Sequence, residues 1–162
     1  GNEFGHPEWI DFPREGNGWS YFYCRRQWHL ADDKLLKYEW LLDFDKAMIE
    51  MAREEAILDE VPELFVQDEQ KKILIFKRKN CIFALNFNPA ASFTDYGFAV
   101  PAGKYEAILN TDENEFDGFS RLKTGEVHFS VPVKSENGNG KYDDSLSQYL
   151  PSRTAIVLKK ID

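Results

Sequence analysis

The carboxylates Glu3, Glu8 and Asp11 lie close together in a segment that also holds His6, Trp9, Arg14 and Trp19. Carboxylates there could accept hydrogen bonds from the hydroxyls of a bound molecule, or order their own loop by accepting its donors. The indole of Trp9 or Trp19 could cover a flat apolar surface of a ligand, or form a small core for the loop. Other groupings carry less chemistry. His6, His29 and His128 are scattered, and His6 with Glu3 is not the His-Glu-X-X-His helix motif of a zinc site. Residues 112–117 are acidic, but Phe116 stands where a calcium loop needs an oxygen ligand, so a solvated loop is expected. Gly16-Asn17-Gly18 lacks the strand-to-helix setting of a nucleotide site. No metal and no cofactor is expected.

These residues must be positioned by the elements around them. Gly1, Gly5, Pro7, Pro13, Gly16 and Gly18 break regular structure, so residues 1–19 read as a long loop. Ser20 is expected to cap a short helix over Tyr21–Trp28, and Ala31-Asp32-Asp33 to start a second one. From Lys34 to about Ile57 the apolar period is helical. Leu35, Tyr38, Leu42, Ile49 and Ala52 form one stripe, widened by Leu41 and Met48, and Pro62 stops the run. Beyond Pro62 the period becomes strand-like. Lys72–Arg78 and Cys81–Phe87 form a hairpin around Lys79-Asn80. Lys104–Leu109, Glu126–Val133 and Thr154–Lys160 are further strands, and Asn137-Gly138-Asn139-Gly140 is a strong turn signal within Ser135–Lys141. The pattern predicts a mainly β chain. Residues 1–61 contribute loop and helix, and residues 62–162 an antiparallel β-sandwich.

Composition narrows the function classes. The 162 residues carry a net charge of −8, with 43% hydrophobic, 15% aromatic and 30% charged residues. That content supports a packed core. The acidic balance argues against a nucleic-acid partner, whose phosphates reward clustered Lys and Arg. The basic run from Lys71 to Lys79 is interrupted by apolar residues and reads as the wet face of a hairpin. Cys24 and Cys81 are far apart and read as free thiols of a reducing compartment. No stretch approaches the roughly 18 consecutive apolar residues of a membrane helix. A cytoplasmic protein without a membrane partner is expected. The chain opens without Met and without a polar lead-in, and three of its four Trp fall in the first thirty residues. It is expected to be the C-terminal piece of a larger enzyme.

Particular motifs sharpen that expectation. Gly1-Asn2-Glu3-Phe4-Gly5-His6-Pro7-Glu8-Trp9, then Asp11-Phe12-Pro13-Arg14, then Tyr23 with Arg25-Arg26-Gln27, resemble the 1,4-α-glucan branching enzymes of the α-amylase superfamily. Asn86-Phe87-Asn88-Pro89, Ser92-Phe93-Thr94-Asp95-Tyr96 and Pro151-Ser152-Arg153 resemble the C-terminal domain of the same family. The resemblance covers nearly the whole chain.

It implies that residues 1–61 are the loop after the last strand, and the last helix, of a (β/α)8 catalytic barrel. Residues 62–162 would then be the small β domain that follows. The family cleaves an α-1,4 bond of a glycogen- or starch-like glucan and re-forms it as an α-1,6 branch. It does so with retention, through an Asp nucleophile and a Glu acid/base. Those residues precede the barrel's end, so no catalytic residue can be carried onto this chain, and the chain alone is expected to be inactive. Trp9, Glu8 and Arg14 are the candidate glucan-contacting residues. The β domain is expected to buttress the missing barrel. The alternative is a glucan-binding β-sandwich module using Phe93, Tyr96, Phe98 and Tyr105.

Overall fold

The computed structural model describes residues 1–6, 10–133 and 142–162. The turn signal within Ser135–Lys141 therefore lies outside the described residues. The chain divides into two compact units, residues 1–47 and 48–162.

In the first unit, short turns replace the expected helix over Tyr21–Trp28. Single 3-10 turns form at Asn2–Phe4, Glu15–Asn17 and Phe22–Cys24, and the first α-helix, α1, spans only His29–Asp32. The Ser20 hydroxyl accepts the Phe22 N–H at 3.2 Å, which closes a local turn rather than capping a helix. Asp33 likewise takes the Leu35 N–H at 2.9 Å, and α1 ends where a helix was expected to begin. The long helix, α2, runs Tyr38–Glu54, shorter at both ends than the sequence period suggests. Glu39 in its first turn and Arg53 in its last complement the helix dipole. Leu35 precedes the helix and is 93% exposed, and Ile49 is also exposed. The one buried side chain described on α2 is instead Met51. Beyond the helix, Ala56 takes a left-handed φ of 48° and leads into a 3-10 turn at Ile57–Asp59.

Among its described residues the second unit carries nine strands, all paired antiparallel. They are β1 (Glu63–Asp68), β2 (Ile73–Arg78), β3 (Cys81–Asn86), β4 (Phe93–Val100), β5 (Lys104–Asn110), β6 (Val127–Phe129), β7 (Val131–Pro132), β8 (Asp144–Leu150) and β9 (Thr154–Lys160). One sheet has the order β1-β2-β3-β9-β5-β6, and the other β4-β8-β7. The hairpin between β2 and β3 turns at Lys79, where φ is +54°. Glu126–Val133 proves to be two short strands that meet at Ser130, because β6 pairs with β5 in one sheet and β7 with β8 in the other.

Alternation sets the core. Ile73 and Ile75, Ile82 and Ala84, Phe98 and Val100, Tyr105 and Ala107, Leu146 and Leu150, and Ile156 and Leu158 turn inward from six strands, joined by Leu122. Burying such side chains is worth about 1.5–3 kcal/mol each. The neighbouring residues Leu74, Phe76, Phe83 and Leu85 occupy the other face, where Phe76 and Phe83 stack with centroids 4.9 Å apart. The mainly β, antiparallel architecture expected from the sequence is therefore the one observed.

Candidate functional site

The first unit is built around Phe4, which is fully buried. Its ring centroid lies 5.0 Å from that of Trp28, 5.6 Å from His6 and 6.4 Å from Tyr38. The Gln27 N–H donates to His6 Nε2 at 3.2 Å, tying the start of the chain to the segment before α1. That histidine is thus a structural acceptor. Gly5 completes the turn with φ +69°, a conformation that a side chain would strain.

Asp11, Arg14 and Asn17 form a closed polar cluster. Arg14 Nε donates to Asp11 Oδ1 at 2.9 Å and Arg14 Nη2 to Asp11 Oδ2 at 3.2 Å. Asn17 Nδ2 donates to Asp11 Oδ2 and to the Phe12 carbonyl, both at 3.0 Å, and Asn17 Oδ1 receives the Arg14 N–H. The Arg14 guanidinium, then Asn17, hold the Asp11 carboxyl below the usual carboxylate range. At neutral pH it is an anion bound to its own loop, suited to ordering that loop and not to donating a proton. Arg14 is committed to Asp11, yet its side chain remains largely exposed, leaving donors toward solvent. Glu8 and Trp9 fall outside the described residues. Trp19 is 66% exposed with a left-handed φ of 59°, so it does not supply a core for the loop. Phe12, Tyr21, Phe22 and Tyr23 are also exposed, and the loop presents a surface rich in aromatic rings.

The second unit answers other expectations. Phe98 and Tyr105 are buried in the core, and Phe93 and Tyr96 are packed against it. Tyr96 is further tied by its hydroxyl, which donates to Asp68 at 3.1 Å. These four are not an exposed ligand platform. Cys81 is buried, and burial pushes its thiol up to about 11, so it is no nucleophile at neutral pH.

Residues 112–117 are not simply solvated. Asp112 is 2% exposed and accepts Arg121 Nη2 at 2.7 Å and the Arg121 N–H at 2.6 Å. Burial raises its carboxyl, but the Arg121 side chain and the backbone N–H groups of Arg121 and Phe119 outweigh that and hold it below the usual range. Nothing in the acidic spacing alone points to the partner nine residues away. Close packing beside the pair requires Gly118, where an added Cβ would come within 2.2 Å of the Asp112 backbone.

Three motifs of the β half converge. Asn86 Nδ2 donates to the carbonyls of Leu150 and Pro151 at 3.0 and 2.9 Å, and its Oδ1 takes the Asn88 N–H. The Arg153 N–H reaches the Asn88 carbonyl at 3.2 Å, and the Ser152 N–H the Ser92 hydroxyl at 3.0 Å. These residues lock the β8–β9 turn to the segment after β3.

Residues 65–161 match the family described as alpha amylase, C-terminal all-beta domain. Over the whole chain, the 1,4-alpha-glucan-branching enzyme of Felis catus is 43% identical, covering 100% of this chain and 23% of its relative. That of Candida glabrata is 44% identical over 99% of this chain and 22% of its own length. That of Dictyostelium discoideum is 44% identical over 100% and 24%. The chain spans about a quarter of the length of these curated relatives. Among solved structures, an alpha-amylase from H. orenii aligns with a TM-score of 0.47 and 16% identity, over 86% of this chain and 24% of that one.

Proposed function

We propose a function from one premise: the chain belongs to the alpha-amylase C-terminal all-beta domain family. It serves as the C-terminal portion of a 1,4-α-glucan branching enzyme, which cleaves α-1,4 links in a glycogen-like glucan and joins the cut segment at a 6-hydroxyl. The observation that carries this reading is identity of 40–45% to curated branching enzymes along essentially the whole chain. Residues 1–61 act as the last loop and helix of the catalytic barrel, and residues 62–162 as the β domain that stabilises it. The bond chemistry belongs to the barrel, and this chain alone is inactive. Glu8, Trp9 and Arg14 contact glucan from the loop. In support, Arg14 is held in place by Asp11 while remaining exposed.

The partners are the glucan and the catalytic barrel, with no nucleic acid and no membrane. Among the described residues no helix is long and apolar enough to cross a membrane. The cytoplasm is the proposed compartment, in keeping with two free thiols. The buttress role predicts that the complete gene product lacking residues 62–162 melts at a lower temperature and branches amylose more slowly than the intact one. Unchanged melting and unchanged activity would overturn it.

A further inference from the structure

On the β unit, the segment after β5 and the β8–β9 turn enclose a cavity of about 350 Å³, lined by Asp117, Gly118, Phe119, Arg121, Ser152 and Arg153 among others. Its parts are arranged in series. The buried Asp112 carboxylate fixes the Arg121 guanidinium through two atoms. Arg121 in turn lies over the Phe119 ring, 5.1 Å from its centroid. Cation–π contact with a fixed guanidinium holds the ring in place. Phe119 is nonetheless 74% exposed, so it is a supported ring that still presents bare surface.

The same cavity is lined by donors. The Arg153 guanidinium and the Ser152 hydroxyl have no hydrogen-bond partner among the described residues, although both backbones are tied down. Arg153 adopts a left-handed φ of 57°, in a turn clamped by Asn86 and Asn88. Asp112 and Asp117 balance Arg121 and Arg153, so the lining has no net formal charge. That balance selects neither a polyanion nor a polycation. An exposed aromatic ring that shares a cavity with hydroxyl and guanidinium donors suits an uncharged ring with one apolar face and a rim of hydroxyls.

We infer that this cavity holds one pyranose unit of a neutral α-glucan, with Phe119 as the platform and Arg153 as the hydroxyl-binding donor. The choice of an α-linked glucan rests on the proposed branching-enzyme reading. Its residues all belong to the second unit and lie outside the four aromatics that the sequence suggested for such a role.

Backbone amide NMR of the 162-residue chain, titrated with maltoheptaose, tests the inference site by site. The expected result is saturable shifts at Gly118, Phe119, Ser152 and Arg153. Phe119→Ala should weaken that binding about fivefold to tenfold, Phe119→Trp should retain it, and Arg153→Ala should weaken it as well. Phe119 is exposed, so its variants should keep the wild-type spectrum elsewhere. Absence of shifts at these residues, or binding there unchanged by Phe119→Ala, overturns the site. Branching by the complete gene product is read separately. Branching without shifts here removes this site alone, whereas shifts here with no branching remove the enzymatic reading.

Discussion

At the scale of the residue, the ion pair between Asp112 and Arg121 has the clearest consequences. Asp112 is almost fully buried, whereas the Arg121 side chain keeps 30% of its surface in solvent. Asp112→Asn keeps the shape but removes the charge that the two backbone N–H groups and the guanidinium were arranged to meet. Partial exposure of Arg121 moderates the loss, and we expect about 2–3 kcal/mol of destabilisation in urea unfolding. The pH dependence has a definite sign. A carboxyl whose folded pKa lies below its unfolded value of about 3.9 contributes its stability fully above that value. The contribution is lost as pH falls through the lower, folded pKa. The stability gap between wild type and Asp112→Asn should therefore be constant near neutrality and close in acid below about pH 4. A gap that widens in acid would contradict the assignment.

Among the elements, β9 occupies the centre of the larger sheet, paired with β3 on one side and β5 on the other. Leu158 points from it into the core with no exposed surface. Leu158→Ala should cost about 2–5 kcal/mol, the range for a buried Leu truncation. Leu64→Ser on the edge strand β1, at an exposed position, should stay within about 0.5 kcal/mol. Thermal unfolding of the two variants checks the contrast. β9 was legible in the sequence because Thr154–Lys160 follows a turn at Pro151-Ser152-Arg153 and is β-branched and apolar. The hairpin of β2 and β3 was legible for the same reason. By contrast β8 was not, since Asp144, Ser145, Ser147 and Gln148 dilute its apolar residues, and pairing with β4 and β7 gives it a place. β4 was likewise masked by Asp95 and Gly97. The start of α2 was misread because Asp33 prefers to bond the Leu35 N–H in a turn, an alternative that helical periodicity does not register. At the candidate site, the loop character and its carboxylates could be read directly. That Asp11 is occupied by Arg14 and Asn17 could not, because the pairing depends on a turn at Glu15–Asn17.

For the whole molecule, the proposed role is that of framework in a branching enzyme, with the bond chemistry assigned to the barrel. Leu35, Leu41, Met48 and Ile49, on or near α2, are exposed, and the proposed barrel position would supply them with cover. The most direct measurement is proton NMR of the α-1,6 anomeric signal after amylose is incubated with residues 1–162 alone and, in parallel, with the complete gene product. New α-1,6 linkages are expected with the complete product and none with residues 1–162. Branching by residues 1–162 alone, or none by the complete product, would contradict the proposed role.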